Sequence, residues 1–237
     1  MGRVTTDILT YGSDQPRRLS RRGWIAVLAV GLAVVGGLAA WRLRPVPAPA
    51  FRLIDLQGVY AGMVRSDGQN DAGVIDPGRV VAEAETVSPA ACEPLFEASV
   101  LNRPPAAALD GVGTFWALGP TGVSLFSYRF AGVAGAGREF ARLAAAYDGC
   151  RGARVSVTGR LTAAGQLIGV RRDRVQLAYV LASADGTKLA VHVLAFSNTV
   201  SWQYRYEPVP GPYDTRTAQN VMDSLADQMR AVQALRH

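Results

Sequence analysis

The chain is almost without lysine: of its 25 Lys plus Arg residues, only Lys188 is lysine. It has two histidines and two cysteines in 237 residues. Each shortage closes off a class of function. His237 is the last residue, and His192 has no cysteine or carboxylate at ligand spacing, so no metal site and no cofactor is expected. There is no Gly-x-Ser-x-Gly elbow, no Ser-x-x-Lys pair and no phosphate-cradling glycine loop. Glu83 and Glu85 stand two apart, which is the spacing of an exposed strand face. No residue is assigned a catalytic role, and the chain is expected not to be an enzyme.

Charge is also short once it is divided along the chain. The formal charge is +6, but residues 1–44 hold seven Arg and two Asp. The remaining 193 residues hold eighteen Lys plus Arg against seventeen Asp plus Glu, so this larger part is near +1. No basic stripe is left to neutralise phosphates, and nucleic acid is not an expected partner. The lysine-poor, alanine- and valine-rich composition suits a GC-rich genome such as that of an actinobacterium.

One long apolar run is present. Residues 23–41 (GWIAVLAVGLAVVGGLAAW) are nineteen residues without a charge. Their length fits the hydrocarbon core of a bilayer, and a single transmembrane helix is expected there. Arg17, Arg18, Arg21 and Arg22 precede it, and Arg42 and Arg44 follow. This excess favours a cytoplasmic N-terminus and an extracytoplasmic C-terminal part. A cleavable signal peptide is the rival reading, but its apolar core would be shorter. Residues 1–22 then form a basic cytoplasmic tail. Residues 42–74 start with alternating Pro45, Pro47 and Pro49, an extended spacer, and continue into a segment whose apolar spacing fits no element.

Residues 75–237 carry the expected domain. A strand is predicted over 79–86. Ser88 and Pro89 then start a helix bearing Cys92, Leu95 and Phe96. Strands over 112–118 and 123–130 flank the hairpin signal Gly119-Pro120-Thr121-Gly122. A helix follows over 135–147, with Phe140, Leu143, Ala144 and Tyr147 as its apolar stripe. Strands are predicted over 154–161, 166–171, 175–183, 188–196 and 200–206, with a turn at Ala163-Ala164-Gly165. The last helix buries Ala218, Val221, Met222, Leu225, Met229 and Val232. Short connections make the strands antiparallel. The fold class is α+β: one curved antiparallel sheet of about five to seven strands with two or three packed helices, preceded by the transmembrane helix.

Cys92 and Cys150 both lie on the extracytoplasmic side, and a disulfide joining the two helices is expected there. The other reading is two buried thiols. Aromatic side chains supply binding candidates: Tyr128, Trp202 and Tyr204, with Trp116 and Tyr206 beside them. They form either the site or the core. Arg129, Arg205 and Gln203 occupy the opposite strand faces and would line an anionic pocket if their strands are neighbours.

Three motifs stand in order: Pro89-Ala90-Ala91-Cys92, then Tyr147-Asp148-Gly149-Cys150 after a helix, then Trp202-Gln203-Tyr204-Arg205-Tyr206 before a long C-terminal helix. Over residues 75–237 this order resembles the extracellular sensor-domain family of the mycobacterial serine/threonine kinase PknH. The chain would be a solo, membrane-anchored member without a kinase domain. The resemblance implies a twisted antiparallel sheet with flanking helices, a disulfide framework, and a cleft for an unidentified ligand. Family members often have four cysteines, so one bridge at most carries over. The expected function is a non-enzymatic, sensor-like domain of the cell envelope. It would bind a small-molecule or envelope ligand and act through a protein partner in the membrane. A structural or assembly factor of an envelope complex is the alternative, and a hydrolase without a recognisable motif is a second one.

Overall fold

The computed structural model describes residues 49–63, 72–80, 86–118, 121–158, 162–208 and 215–236, without the side chains of 116–118. The cytoplasmic tail, the transmembrane helix and the signal-peptide alternative all fall outside the described residues. Among the described residues no helix is long and apolar enough to cross a membrane.

The compact unit runs from Ala48 to His237. Its centre is one antiparallel sheet of nine strands in the order β1-β3-β4-β9-β8-β7-β6-β5-β2. The strands are β1 (Gly73–Ile75), β2 (Thr86–Ser88), β3 (Asp110–Leu118), β4 (Thr121–Arg129), β5 (Arg154–Thr158), β6 (Ala163–Arg172), β7 (Gln176–Ser183), β8 (Lys188–Phe196) and β9 (Thr199–Glu207). Three long helices pack on it: α1 (Leu53–Gly62), α2 (Val133–Cys150) and α3 (Thr215–Ala234). The class is α+β, but nine strands replace the five to seven expected. The two extra pairings come from β1 and β2. Each has three residues, too few to show an alternating pattern.

Strand geometry sends alternate side chains to opposite faces, and both faces of the centre are covered. On one face, called here the near face, α2 and the 3-10 helix Ala90–Leu95 enclose Phe126, Tyr128, Tyr179, Val191 and Trp202. On the far face, α1 and α3 enclose Val112, Leu125 and Leu194. Many far-face positions are nevertheless polar: Ser127, His192, Thr199, Ser201 and Gln203 are all buried. Part of that polarity is satisfied internally. Ser127 Oγ lies 3.0 Å from Tyr60 Oη and 2.6 Å from Ser201 Oγ, a buried chain of hydroxyls.

The segment left unassigned is therefore part of the domain. Its helix α1 buries Leu56, Val59 and Tyr60 beside Asp55, and that acid interrupts the apolar stripe. Asp55 takes hydrogen bonds from Arg52 N at 2.6 Å and from Arg236 Nη1 at 2.9 Å. Burial alone would push its carboxyl up. The hydrogen bonds from Arg52 and the charges of Arg236 and Arg52 outweigh that and hold it below the ordinary value.

Three other expectations need correction. The helix after Ser88 is a 3-10 helix that starts at Ala90, with Pro89 as its cap and Pro94 inside it. Proline removes a donor that an α-helix would use. Of the strand predicted over 79–86, Arg79 ends the 3-10 helix Pro77–Arg79, 81–85 lie outside the described residues, and β2 begins at Thr86. Ala163, Ala164 and Gly165 lie within β6 rather than in a turn. A Cβ on Gly165 would sit 2.0 Å from the carbonyl oxygen of Ala182, so this glycine serves a close strand approach. The helix α2 also continues through Cys150, which bonds Cys92 with Cα atoms 5.8 Å apart.

Candidate ligand-binding site

Strands β4 and β9 are neighbours, so the candidate residues can be placed against one another. Arg129 pairs in register with Thr199, and Val123 with Arg205. The two arginines share the far face but stand six positions apart along the ladder, or roughly 20 Å. Each has an acid at hand. Arg129 Nε donates to Asp110 Oδ1 at 2.8 Å. Arg205 Nε lies 2.8 Å from Glu207 Oε1, an ion pair too poorly aligned for a hydrogen bond. A single anionic pocket built on Arg129, Arg205 and Gln203 is not what the register produces.

Gln203 is buried, and its Oε1 has no hydrogen-bond partner. It stands opposite His192 in a far-face row that runs Arg171, Ala178, His192, Gln203, Leu125, Thr114. Burial, and after it the positive charges of Arg171 and Arg205, lower the His192 pKa to about 4. The imidazole is neutral at pH 7. Among the described residues no three His, Cys, Asp or Glu side chains converge as metal ligands would.

The aromatic candidates divide. Trp202 is 1% exposed and belongs to the near-face core. Its ring stacks on Phe126 at 6.1 Å and meets Tyr128 edge-on at 5.7 Å. Tyr128 is buried too, and burial pushes its hydroxyl up to about 12. Tyr204 is half-buried at the margin of that core. The side chain of Trp116 lies outside the described residues.

Phe126, Tyr128 and Tyr204 nevertheless meet at one place. They line a near-face cleft of about 530 Å³, bounded by β1, β3, β4 and residues 98–102. Its shape follows from glycines. The near-face positions of β3 are Gly111, Gly113 and Phe115, and Gly111 and Gly113 carry no side chain. A Cβ on Gly111 would come 2.9 Å from the Tyr128 ring, and one on Gly113 would come 3.1 Å from Phe126 Cβ. The aromatic side chains of β4 thus settle over the bare backbone of β3 and form a floor. Ile75 and Val100 add apolar wall, and Phe115 stands at the mouth, 62% exposed.

The sequence reading missed Phe115, Ser99, Asn102 and Ser124, which also line this cleft. A usable signal existed in Gly111-x-Gly113-x-Phe115, two glycines and an aromatic on one strand face. A second hollow of about 580 Å³ lies between α3 and the ends of β7 and β8. Its charges are engaged: Asp227 pairs with Arg230, and Asp223 accepts from Gln219 Nε2 at 2.8 Å. None of the candidate residues reaches it.

No family model and no curated protein matches the chain. Among solved structures, the fold is similar to the extracellular domain of PknH from Mycobacterium tuberculosis. The match has a TM-score of 0.59 at 13% identity and covers 78% of this chain and 99% of that one. An uncharacterized Rv0999 ortholog from Mycobacterium smegmatis is more distant, with a TM-score of 0.42 at 13% identity over 77% of this chain and 99% of that one. The likeness to the PknH domain is one of fold.

Proposed function

We propose that the chain is a non-enzymatic, sensor-like binding module of the bacterial cell envelope. It is anchored by residues 23–41, with the compact unit outside the membrane. The observation that carries this reading is the near-face cleft. Its volume falls in the range of small-molecule sites, and its aromatic floor is fixed by core packing. The fold shared with the extracellular domain of PknH and the Cys92–Cys150 bond support an extracytoplasmic setting. The module passes information to a membrane protein partner.

Native mass spectrometry of the full chain, released from membranes in mild detergent, tests the binding. A retained small molecule that disappears in Phe115→Ala is the expected result. A bare mass in both proteins would count against a ligand-binding role. Location has its own test. Alkaline phosphatase fused after His237 should be active, and an inactive fusion beside an active cytoplasmic reporter would overturn the orientation.

A second reading, assembly through protein contacts, is favoured by one observation. Ile168 and Val170 on β6 are 47% and 40% exposed, so part of the sheet presents apolar side chains to solvent.

A further inference from the structure

We infer that the near-face cleft takes an uncharged, hydroxylated ring with an apolar flank, the chemistry of a neutral saccharide. The inference rests on the proposed reading of that cleft as the ligand site. It starts from a property of the lining: among the described residues that form the cleft, none is charged. An anionic or cationic ligand would lose water there and meet no counter-charge, which is strongly unfavourable.

The lining is not simply apolar either. Ser99, Asn102 and Ser124 bring neutral donors and acceptors. A plain acyl chain would bury such groups unsatisfied. It is also better served by an enclosed apolar channel, whereas here Phe115 stays 62% exposed at the mouth. The rings of Phe115 and Tyr204 supply flat apolar area with one hydroxyl tip, suited to the C–H flank of a sugar ring whose rim is polar.

The saccharide could be free or carried as the headgroup of a glycolipid, and the experiment separates the two. Saturation-transfer-difference NMR would be recorded on the full chain in phosphatidylcholine nanodiscs. The probes are glucose, galactose, mannose and N-acetylglucosamine, with glucuronate as the charged counterpart, octyl glucoside as the lipid-borne form, and 1-octanol as a chain without a sugar. At least one neutral sugar should receive saturation well above glucuronate. Phe115→Ala and Ser124→Ala should each weaken it by about fivefold, the effect of one net contact. Binding of octyl glucoside without the free sugars upholds the ligand class and assigns the source to a lipid headgroup. Binding of 1-octanol or glucuronate alone, lost in Phe115→Ala, overturns the saccharide assignment while the cleft remains the ligand site. If no probe binds, or if Phe115→Ala leaves every bound probe unaffected, the cleft assignment falls and the saccharide with it.

Discussion

Trp202 and Arg205 lie three residues apart on β9 and on opposite faces, and their substitution should separate core from periphery. Trp202 is enclosed by Phe126 and Tyr128, so Trp202→Ala should cost about 3–5 kcal/mol, the usual range for a buried aromatic. It should also disturb the cleft, because Phe126 and Tyr128 form its floor. Arg205 is 14% exposed beside Glu207 at 13%, so Arg205→Ala leaves a partly buried carboxylate without its ion pair. A loss of about 1 kcal/mol is expected, at the upper end for pairs near the surface. Denaturant unfolding of both variants checks the order, and an equal cost would mean the faces differ less than their packing suggests. His192 provides a pH signature. Its folded pKa of about 4 is below the ordinary 6.5, so the unfolded chain binds the proton more readily. The stabilisation is complete above pH 6.5 and is lost as pH falls through 4, up to about 3 kcal/mol in all. Asp55, also held below its ordinary value, contributes on the acid side of this range. The His192→Leu variant should flatten the limb between pH 6.5 and 4. An unchanged limb would show that other groups produce it.

At the scale of elements, the 3-10 helix Ala90–Leu95 depends most on outside support. It is six residues long and contains Pro94, so its own hydrogen bonds contribute little. Cys92 ties it to the end of α2, and the buried Tyr179 hydroxyl donates to the Leu95 carbonyl. The bond closes a separation of 58 residues, worth about 4 kcal/mol in the chain-entropy model. Cys92→Ser should therefore lower the melting temperature by roughly 10 °C in a unit of this size. Calorimetry would show it, and an unchanged transition would mean the oxidised protein gains nothing from the bond. The elements that were legible in the sequence share one property: their patterns answer to a local period. The stripe Phe140, Leu143, Ala144 and Tyr147 of α2 is buried as its spacing implies, and so are the alternating near-face residues of β7 and β8. Helix α1 was not legible, because its first turn is fixed by distant partners: Asn198, 147 residues from Phe51, and Arg236, 181 from Asp55. The cleft was legible in its floor, since Tyr128 and Tyr204 announce an aromatic face. Its mouth was not, because Phe115 matters only through the glycines that β1 and β4 approach.

For the whole molecule, the boundary of the domain is the point at which sequence and packing part most sharply. Composition suggests a domain that begins near residue 75, after a proline spacer. The structure joins the two ends of the compact unit instead. Gln233 Nε2 donates to the Pro49 carbonyl at 3.1 Å, and Arg236 Nη1 to the Ala50 carbonyl at 2.7 Å. Asn198 is 1% exposed; it accepts from Phe51 N at 2.6 Å and donates to the Phe51 and Phe130 carbonyls at 3.1 Å. Beneath this clasp, Phe51, Leu56, Val59 and Tyr60 cover half of the far-face core, and Met222, Leu225 and Met229 of α3 cover the rest. Removing residues 49–63 would expose the apolar side of α3 and take from Asn198 its bonds to Phe51 and from Ser127 its bond to Tyr60, two routes to severe destabilisation. A chain starting at residue 75 should thus be recovered as aggregate or as a species without a cooperative thermal transition. One starting at residue 48 should melt in a single transition. A cooperative transition in the shorter chain, at a temperature within a few degrees of the longer one, would mean that α1 is an appendage and that the near-face core alone defines the domain.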